Sequence, residues 1–356
     1  MWGDIAIAFV LAFITAYVVT PYSMRFAKKI KAVDEPSERR INKVVMPRLG
    51  GLAILSGFFV SMIYLIISMI LEDRAEINEY YIKIIGFFIG ILIIAIVGFI
   101  DDCKSIHPLL KLLGQTFAAV VVMIFGITIG DIHLPIFDEL IELNGALEYI
   151  ITWFWIVGIT NAINLTDGLD GLSSGITLIA CISLLIIFAS NASPLISIIL
   201  ITALAGGIVG FLPFNFNPAK TYMGDCGSNF LGFAISVIAI LGVAKTYTII
   251  VIIAPLIVLA LPLFDTAFAV VRRIVKGKSL KAIFQPDRGH LHHRLMNLGY
   301  SQKGAVLILY AIAATLGMFA IILLESGIWK AISFALLVIA IFAMGYKDIL
   351  KKNKEE

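Results

Sequence analysis

Residues 82–100 read IKIIGFFIGILIIAIVGFI, with one charged side chain, Lys83, and end against two adjacent acids, Asp101 and Asp102. A helix of roughly 20 apolar residues crosses the ~30 Å hydrocarbon core of a bilayer, so this stretch predicts a membrane span. The whole chain has the same character, since 60% of its 356 residues are apolar, 14% are charged and the mean hydropathy is +1.01. Soluble proteins carry about 25% charged residues and disordered chains are more polar still, so both classes are excluded.

Apolar runs of span length recur along the chain. Working outward from 82–100, we find eleven: 5–24, 50–71, 82–100, 109–130, 147–165, 172–190, 195–213, 230–244, 246–264, 304–324 and 328–346. No soluble domain or long linker separates them. The sequence therefore predicts an all-α, polytopic integral membrane protein in which residues 1–356 form a single transmembrane domain.

The positions of Lys and Arg predict the orientation. With eleven spans and the N-terminus outside, the cytoplasmic segments are 25–49, 101–108, 166–171, 214–229, 265–303 and the tail 347–356. Of the 27 Lys and Arg residues, 23 lie in or directly beside these cytoplasmic segments, and only those at positions 74, 83, 245 and 330 do not. Because cytoplasmic loops of membrane proteins are enriched in Lys and Arg, we expect this topology, with the C-terminus in the cytoplasm.

Polar side chains gather in four clusters on this predicted cytoplasmic face. The clusters are Asp101 with Asp102; Asn161, Asn164, Asp167 and Asp170; Asp225 between two nearby glycines; and His290, His292 and His293. The spacing of three in the second cluster keeps its side chains on one side of a helix, and polar amides cannot face lipid. Ionisable residues in or beside membrane spans are energetically costly and usually have a function. We therefore expect these clusters to form one site.

The residue types indicate a divalent metal that works with phosphate. Carboxylate and amide oxygens suit Mg²⁺ or Mn²⁺, which share phosphate oxygens as ligands. Nearby Lys and Arg would neutralise the remaining phosphate charge. The histidines lack an H-E-x-x-H arrangement, which argues against zinc. The net charge of only +3 gives no electrostatic case for nucleic acid.

These motifs, in this order, resemble those of the polyprenyl-phosphate N-acetylhexosamine-1-phosphate transferases of glycosyltransferase family 4. The resemblance rests on Asp101-Asp102, on 161–172 ending DGLDGL, on the box 223–225 (MGD) and on 290–293 (HLHH). The H-x-H-H pattern and eleven spans resemble the undecaprenyl-phosphate GlcNAc-1-phosphate branch. The related phospho-N-acetylmuramoyl-pentapeptide transferases are the alternative.

The resemblance implies a reaction at the bacterial cytoplasmic membrane, with the site on its cytoplasmic face. A UDP-N-acetylhexosamine would donate its sugar phosphate to undecaprenyl phosphate, releasing UMP. The product would begin a cell-envelope glycan such as teichoic acid or O-antigen. Mg²⁺, or alternatively Mn²⁺, would be the cofactor, and a homodimer is plausible for the family.

Residue roles follow as hypotheses. Asp225 and Asn164 are the metal ligands, and Asp167 supports the metal or the diphosphate. Asp101 or Asp102 takes a proton from the lipid phosphate or orients it, with Asp102 alternatively a covalent nucleophile. Further substrate contacts are assigned to Asp170 and Asn215 on the nucleotide, Tyr222 on uracil, His290, His292 and His293 on the diphosphate, and Lys43, Arg48, Lys104, Lys111 and Arg288 on phosphates.

Two other classes compete with this reading. A transporter would also place acids in a membrane cavity, but usually near the midplane and in broken helices, whereas here they lie at one face. A CDP-alcohol phosphotransferase would carry its acids in one contiguous stretch. The residues after Asp167-Gly168 are Leu169-Asp170 rather than the Ala-Arg of that family.

Overall fold

The computed structural model describes residues 2–36, 44–72, 75–130, 132–134, 139–141, 143, 145–191, 193–243, 249–277 and 289–340. Its helices are α1 (Trp2–Lys29), α2 (Gly51–Leu71), α3 (Ala75–Cys103), α4 (Pro108–Ile124), α5 (Ala146–Thr166), α6 (Leu172–Ser190), α7 (Leu195–Asn215), α8 (Gly224–Val243), α9 (Ile249–Val258), α10 (Ala260–Gly277), α11 (Leu291–Asn297), α12 (Gln302–Ser326) and α13 (Ile328–Ala340). The all-α prediction is confirmed.

Two short antiparallel ribbons interrupt the helices. In the first, β1 (Val33–Asp34) pairs with β2 (Met46–Pro47), with Asp34 opposite Met46. In the second, β3 (Ile132–Leu134) pairs with β4 (Glu139–Ile141). The first ribbon matters for the site because Asp34, in β1, and Arg48, directly after β2, both line the same cavity.

Each predicted span overlaps a helix in its described part, but some of these helices are shorter or divided differently than predicted. Within the described residues, 8 helices are long and apolar enough to cross a membrane, while α4 and α13 are apolar but shorter. The ninth run, 246–264, was expected to be one span; in its described part α9 ends at Val258 and α10 runs from Ala260 to Gly277. Pro255 lies inside α9, where a proline lacks the backbone donor that a helix uses. The chain is a multi-pass membrane protein, while its orientation remains a prediction.

Helices α7 and α8 form the centre of the bundle. In α8, 94% of the span window is buried within the protein and in α7 83%, against 28% in both α1 and α12, which therefore line the periphery. Small residues let α8 approach its neighbours closely. A Cβ atom on Gly232 of α8 would lie 2.7 Å from the Cα of Thr160 in α5. Such close crossings are typical of helices in membranes, and this one packs the middle of α8 against α5.

Helix ends differ from the predicted loops in a way that concerns the site. Asp101 and Asp102 belong to the last turn of α3, and Asp225 belongs to the first turn of α8. The predicted loops 101–108 and 214–229 are thus shorter than expected. Acids that the sequence placed in loops are held on rigid helix ends.

Candidate active site

A polar cleft of about 330 Å³ opens where α5, α7 and α8 meet the β1–β2 ribbon. Its lining comprises Asp34, Arg48, Asn164, Asp167, Gly168, Leu169, Asp170, Asn215, Tyr222, Gly224, Asp225, Ser228, His293 and Gln302. Residues from three of the four predicted clusters therefore share one cavity, and the fourth cluster lies directly behind it. The cleft brings together residues that are far apart in sequence.

Asp225 is the centre of the charged groups. Its Oδ2 accepts a hydrogen bond of 3.0 Å from Arg48, and its Oδ1 accepts one of 2.8 Å from the side-chain amide of Asn164. The ammonium of Lys111 also donates to Oδ1. The amide of Asn164 further donates to Ser228 Oγ at 2.7 Å. One carboxylate thus joins α4, α5, α8 and the segment before α2.

Asp102 caps the start of α8 from the neighbouring helix α3. Its Oδ1 accepts from the backbone N–H of Asp225 at 2.8 Å, and its Oδ2 accepts from that of Cys226 at 2.9 Å. These N–H groups have no partner within their own helix, and the positive end of the helix dipole favours an anion there. Arg48 lies 3.4 Å from Asp102 Oδ1. The carboxylate of Asp102 is therefore fully engaged in holding α8.

Asp101 has different partners from Asp102. It accepts from the backbone N–H of Ile106 at 2.8 Å and lies 3.2 Å from the ammonium of Lys111. Neither Asp101 nor Asp102 lines the cleft, although Lys111 links Asp101 to Asp225. The two adjacent acids have different surroundings: the side chain of Asp102 is 0% exposed and that of Asp101 11%.

The surroundings of Arg48 and Asp167 shift the pKa of both residues. Burial lowers the pKa of Arg48, but the carboxylates of Asp102 and Asp225 outweigh burial and hold that pKa above its ordinary value. The guanidinium therefore stays charged, with Asp34 a further 4.0 Å away. Burial, reinforced by Asp225 and Asp102, raises the pKa of Asp167 to about 7. A pKa near 7 makes the charge of Asp167 sensitive, near neutral pH, to what binds beside it.

The loop after α5 connects to the loop before α8. Asp170 accepts from the side-chain amide of Asn217 at 2.9 Å and from the backbone N–H of Ala219 at 3.0 Å. One oxygen thus ties 167–171 to 217–219, and Asp170 also lines the cleft.

Asn215 and Tyr222, the predicted nucleotide contacts, lie at opposite ends of that second loop. Asn215 accepts from Ser174 Oγ at 2.7 Å and donates to the carbonyl of Thr221 at 3.1 Å, so its amide is committed to the loop. Tyr222 donates its backbone N–H to the carbonyl of Pro47 at 2.8 Å. Both residues line the cleft, and their contact with a nucleotide stays a prediction.

The three histidines do not share one environment. His290 lies with Asp265 of α10, with 2.8 Å between His290 Nδ1 and Asp265 Oδ2. His292 is buried against Gly168. Only His293 of the three lines the described cleft. The assignment of all three to the diphosphate stays a prediction; the structure buries His290 and His292 and brings His293 into the cleft lining.

The predicted basic residues also separate. Arg48 lines the cleft, and Lys111, which is not in the lining, donates to the carboxylate of Asp225. Lys104 is exposed and is not part of the cleft lining. Lys43 and Arg288 lie outside the described residues.

Some residues of the site were not anticipated from the sequence. Asp34, Ser228 and Gln302 line the cleft. Asp34 arrives through the β1–β2 ribbon, which no periodicity signals, and Gln302 starts α12 far along the chain. Ser228 carried a readable signal, since it follows Asp225 by one helical turn.

Two buried amides beneath the charges, Gln115 and Asn229, were also not anticipated. Gln115 donates to Asn229 Oδ1 at 2.8 Å and accepts from Asn161 at 2.7 Å. Asn229 in turn donates to the carbonyl of Asp225 at 2.7 Å. Gln115 follows Lys111 by four residues, and Asn229 follows Asp225 by four. This spacing along each helix was a usable signal, because residues four apart share a helix face.

The cleft offers oxygen-bearing side chains to a metal ion, and they do not form a closed cage. In the part of the chain that the structure describes, no three His, Cys, Asp or Glu side chains form a closed metal cage. Asp225, Asn164 and Asp167, whose side chains carry carboxylate or amide oxygens, all line the cleft. Mg²⁺ is bound by one or two carboxylates together with substrate phosphates, so the residues fit an ion of that kind.

These observations define a class. The protein is a multi-pass membrane protein with a polar, charge-rich cleft suited to phosphate groups at one end of its bundle. A model of glycosyl transferase family 4 matches residues 84–243. A probable undecaprenyl-phosphate N-acetylglucosaminyl 1-phosphate transferase of Bacillus subtilis is 38% identical over 338 residues, 95% of this chain and 90% of that protein.

More distant relatives agree. A decaprenyl-phosphate N-acetylglucosaminephosphotransferase of Mycobacterium leprae is 30% identical over 86% of this chain and 80% of that protein. An undecaprenyl-phosphate alpha-N-acetylglucosaminyl 1-phosphate transferase of Escherichia coli K12 is 27% identical over 91% of this chain and 86% of that protein. The chain belongs to glycosyl transferase family 4, and the resemblance based on its four motifs is confirmed.

Proposed function

We propose that the protein transfers GlcNAc-1-phosphate from UDP-GlcNAc to undecaprenyl phosphate, releasing UMP and forming undecaprenyl-diphosphate-GlcNAc. An oxygen of the lipid phosphate attacks the phosphorus bonded to the sugar. The bond from that phosphorus to the bridging oxygen breaks, and UMP leaves with this oxygen. The relatives are named for this transfer to a polyprenyl phosphate. The product would serve as the first membrane-bound intermediate of a cell-envelope glycan.

The observation that carries the proposal is the setting of Asp225. Its carboxylate lies in the first turn of α8 and contacts Arg48, Lys111 and Asn164. Asp102 already accepts from the backbone N–H groups of Asp225 and Cys226, so phosphate groups would find their positive charge in the two cations beside Asp225. Phosphoryl transfer depends mainly on positioning and charge neutralisation, and the cleft provides groups for both.

The location of each residue around the cleft indicates its role in the reaction. Arg48 would neutralise the diphosphate from the side of the β1–β2 ribbon, and Lys111 would do so from α4. Asp102 keeps the first turn of α8 in place, which supports a positioning role rather than a nucleophilic one. Asp167, whose pKa burial raises to about 7, would hold or accept a proton from the lipid phosphate beside the reacting groups. Asp101, linked to Lys111, stays an alternative for that task.

We also propose Mg²⁺ as the cofactor. Asp225 and Asn164 would hold it, with Asp167 nearby, and the bound ion would polarise the diphosphate and neutralise charge that develops on UMP. The orientation that Lys and Arg indicate would put this cleft at the cytoplasmic face of the bacterial inner membrane. There UDP-GlcNAc is soluble and the lipid headgroup is at hand.

The test uses purified protein in detergent with undecaprenyl phosphate, Mg²⁺ and a panel of UDP-sugars, and measures UMP release. We expect release with UDP-GlcNAc that requires the lipid and stops on chelation by EDTA. Asp225→Asn should abolish it, while the matched variant Asp4→Asn, at the far end of α1, should not.

Other outcomes decide between the alternatives. Release only with UDP-MurNAc-pentapeptide would keep the family and replace the donor sugar by that of the peptidoglycan branch. An Asp225→Asn variant with full turnover would remove Asp225 from the reaction. Folded protein that releases no UMP from any nucleotide sugar would refute the transferase proposal and favour transport, to be measured as uptake into liposomes.

A further inference from the structure

Asp265 joins two groups that the reaction proposed above does not use. Its Oδ2 lies 2.8 Å from His290 Nδ1, and its Oδ1 accepts from the backbone N–H of Leu291 at 2.9 Å. Both Asp265 and His290 are buried, at 8% and 5% exposure. One carboxylate of α10 therefore fixes the start of α11 and the orientation of the first histidine of the HLHH motif.

The fixed ring supports the next one. The rings of His290 and His292 lie nearly parallel, with centroids 5.8 Å apart and an interplanar angle of 8°. His292 is 3% exposed. Its ring lies against Gly168, where an added Cβ would come within 2.5 Å of His292 Nε2 and 2.7 Å of Cε1. A continuous line of contacts thus runs from α10 through two imidazoles to the loop that follows α5.

That loop carries acids of the cleft. Gly168 follows Asp167 directly and precedes Asp170 by two residues, and both acids line the cleft. Asp170 in turn holds the 217–219 segment through Asn217 and Ala219. The position of the His292 ring therefore limits where Asp167 and Asp170 can lie. His293, whose ring centroid is 4.3 Å from that of His292, is the member of the motif that reaches the cleft.

We infer that Asp265, His290 and His292 are positioning residues that hold the 167–170 loop against the cleft, and that His293 alone of the three histidines contacts the substrates. The inference rests on the proposed function for the identity of those substrates. It differs from a role for all three histidines in binding the diphosphate. It also assigns a function to Asp265, which belongs to none of the four motifs.

The electrostatics of His292 agree with this geometry. Burial, together with the neighbouring rings of His293 and His290, lowers the pKa of His292 to about 4, despite an opposing effect of Asp265. The ring is therefore uncharged near neutral pH, and it supports Gly168 by shape and packing rather than by charge.

Ring replacement separates the two roles. We compare kcat and KM for UDP-GlcNAc in His292→Ala, His292→Phe and His293→Phe. Removing a supporting ring should lower kcat/KM about tenfold, and a phenyl ring should recover most of that loss because it refills the space beside Gly168. His293→Phe should not recover, since the cleft loses a hydrogen-bonding group. Equal loss in His292→Phe and His292→Ala would overturn the inference for His292.

A double-mutant cycle tests the contact without relying on turnover. Gly168→Ala adds a methyl group that clashes with the His292 ring, so each single change should lower the unfolding temperature, and the double variant Gly168→Ala/His292→Ala should lose less than both losses added. Asp265→Asn and His290→Phe should likewise be non-additive. Because unfolding is followed without substrate, this cycle can fail while UMP release is intact, or succeed if the transferase proposal fails. Additive losses in both cycles would refute the line of contacts.

Discussion

Replacing Gly98 of α3 by alanine should disturb the reaction without touching a charged group. A Cβ at Gly98 would lie 2.5 Å from the Cα of Cys226 and 2.7 Å from the carbonyl oxygen of Asp225. An ordinary carbon contact begins at 3.4 Å, so α3 and α8 must separate by about 0.9 Å. Asp102 follows Gly98 by four residues on the same face of α3 and moves with it.

This separation has a direct effect on the hydrogen bonds of Asp102. Its bonds to the backbone N–H groups of Asp225 and Cys226 measure 2.8 and 2.9 Å, and adding about 0.9 Å takes both beyond hydrogen-bond length. The first turn of α8 would then lose its cap, and the carboxylate of Asp225 would shift relative to Arg48. A misplacement of about 1 Å can cost about 100-fold in rate, so we expect kcat for UMP release to fall by that order.

The matched control is Gly158→Ala in α5, which is also a helical glycine within a span but has no atom within 4 Å of an added Cβ. It should keep wild-type kcat, because alanine is the better helix former and meets open space. Unfolding temperatures of both variants separate loss of fold from loss of geometry. Wild-type turnover in folded Gly98→Ala would refute the idea that the α3–α8 distance sets the geometry of the site.

Three further predictions follow from contacts around the cleft. Lys111→Met removes the cation between Asp101 and Asp225 and should lower kcat at least about tenfold, whereas the exposed Lys104→Met should not; equal activity in both variants would contradict this. Gln115→Leu leaves the buried Asn229 Oδ1 without its donor and should lower the free energy of unfolding by about 1–3 kcal/mol in denaturant titrations, a cost that is absent if water replaces the amide. The raised pKa of Asp167, about 7, makes the folded state take up a proton that the unfolded chain releases above about pH 4. The unfolding temperature of the wild type, relative to that of Asp167→Asn, should therefore fall from pH 4 to pH 7 and stay constant above pH 7. A difference between the two proteins that does not change with pH would contradict the raised pKa of Asp167.

Patterns that depend on local sequence were readable before the structure. Apolar runs predicted the helices because each span must satisfy its own backbone in lipid. The three-residue spacing predicted that Asn164 and Asp167 share a face, and both line the cleft. Asp225 could be picked out because an acid between glycines beside a span has few structural reasons to exist.

Features that depend on packing between elements were not readable. Hydropathy alone does not distinguish one long span from α9 followed by α10, because both halves are apolar and the break falls at Leu259. Asp34 enters the cleft only because β1 pairs with β2, a contact between two-residue strands. The three histidines lie within four consecutive positions, yet their side chains have different surroundings because Asp265 of another helix fixes His290.

The glycine of the MGD box shows why the site is built around the start of α8. Gly224 has a φ of +74°, in the left-handed region that side chains other than glycine rarely adopt. An added Cβ there would also collide with the carbonyl oxygen of Arg48 and lie 2.8 Å from Asp102 Oδ1. Glycine therefore does two things at this position: it turns the chain into the helix, and it leaves room for the Arg48 backbone and for the Asp102 carboxylate, which accepts from the N–H groups of Asp225 and Cys226. The cluster of Arg48, Asp102 and Asp225 depends on this approach, so the motif that identifies the family is first a requirement of packing and only through packing a requirement of chemistry.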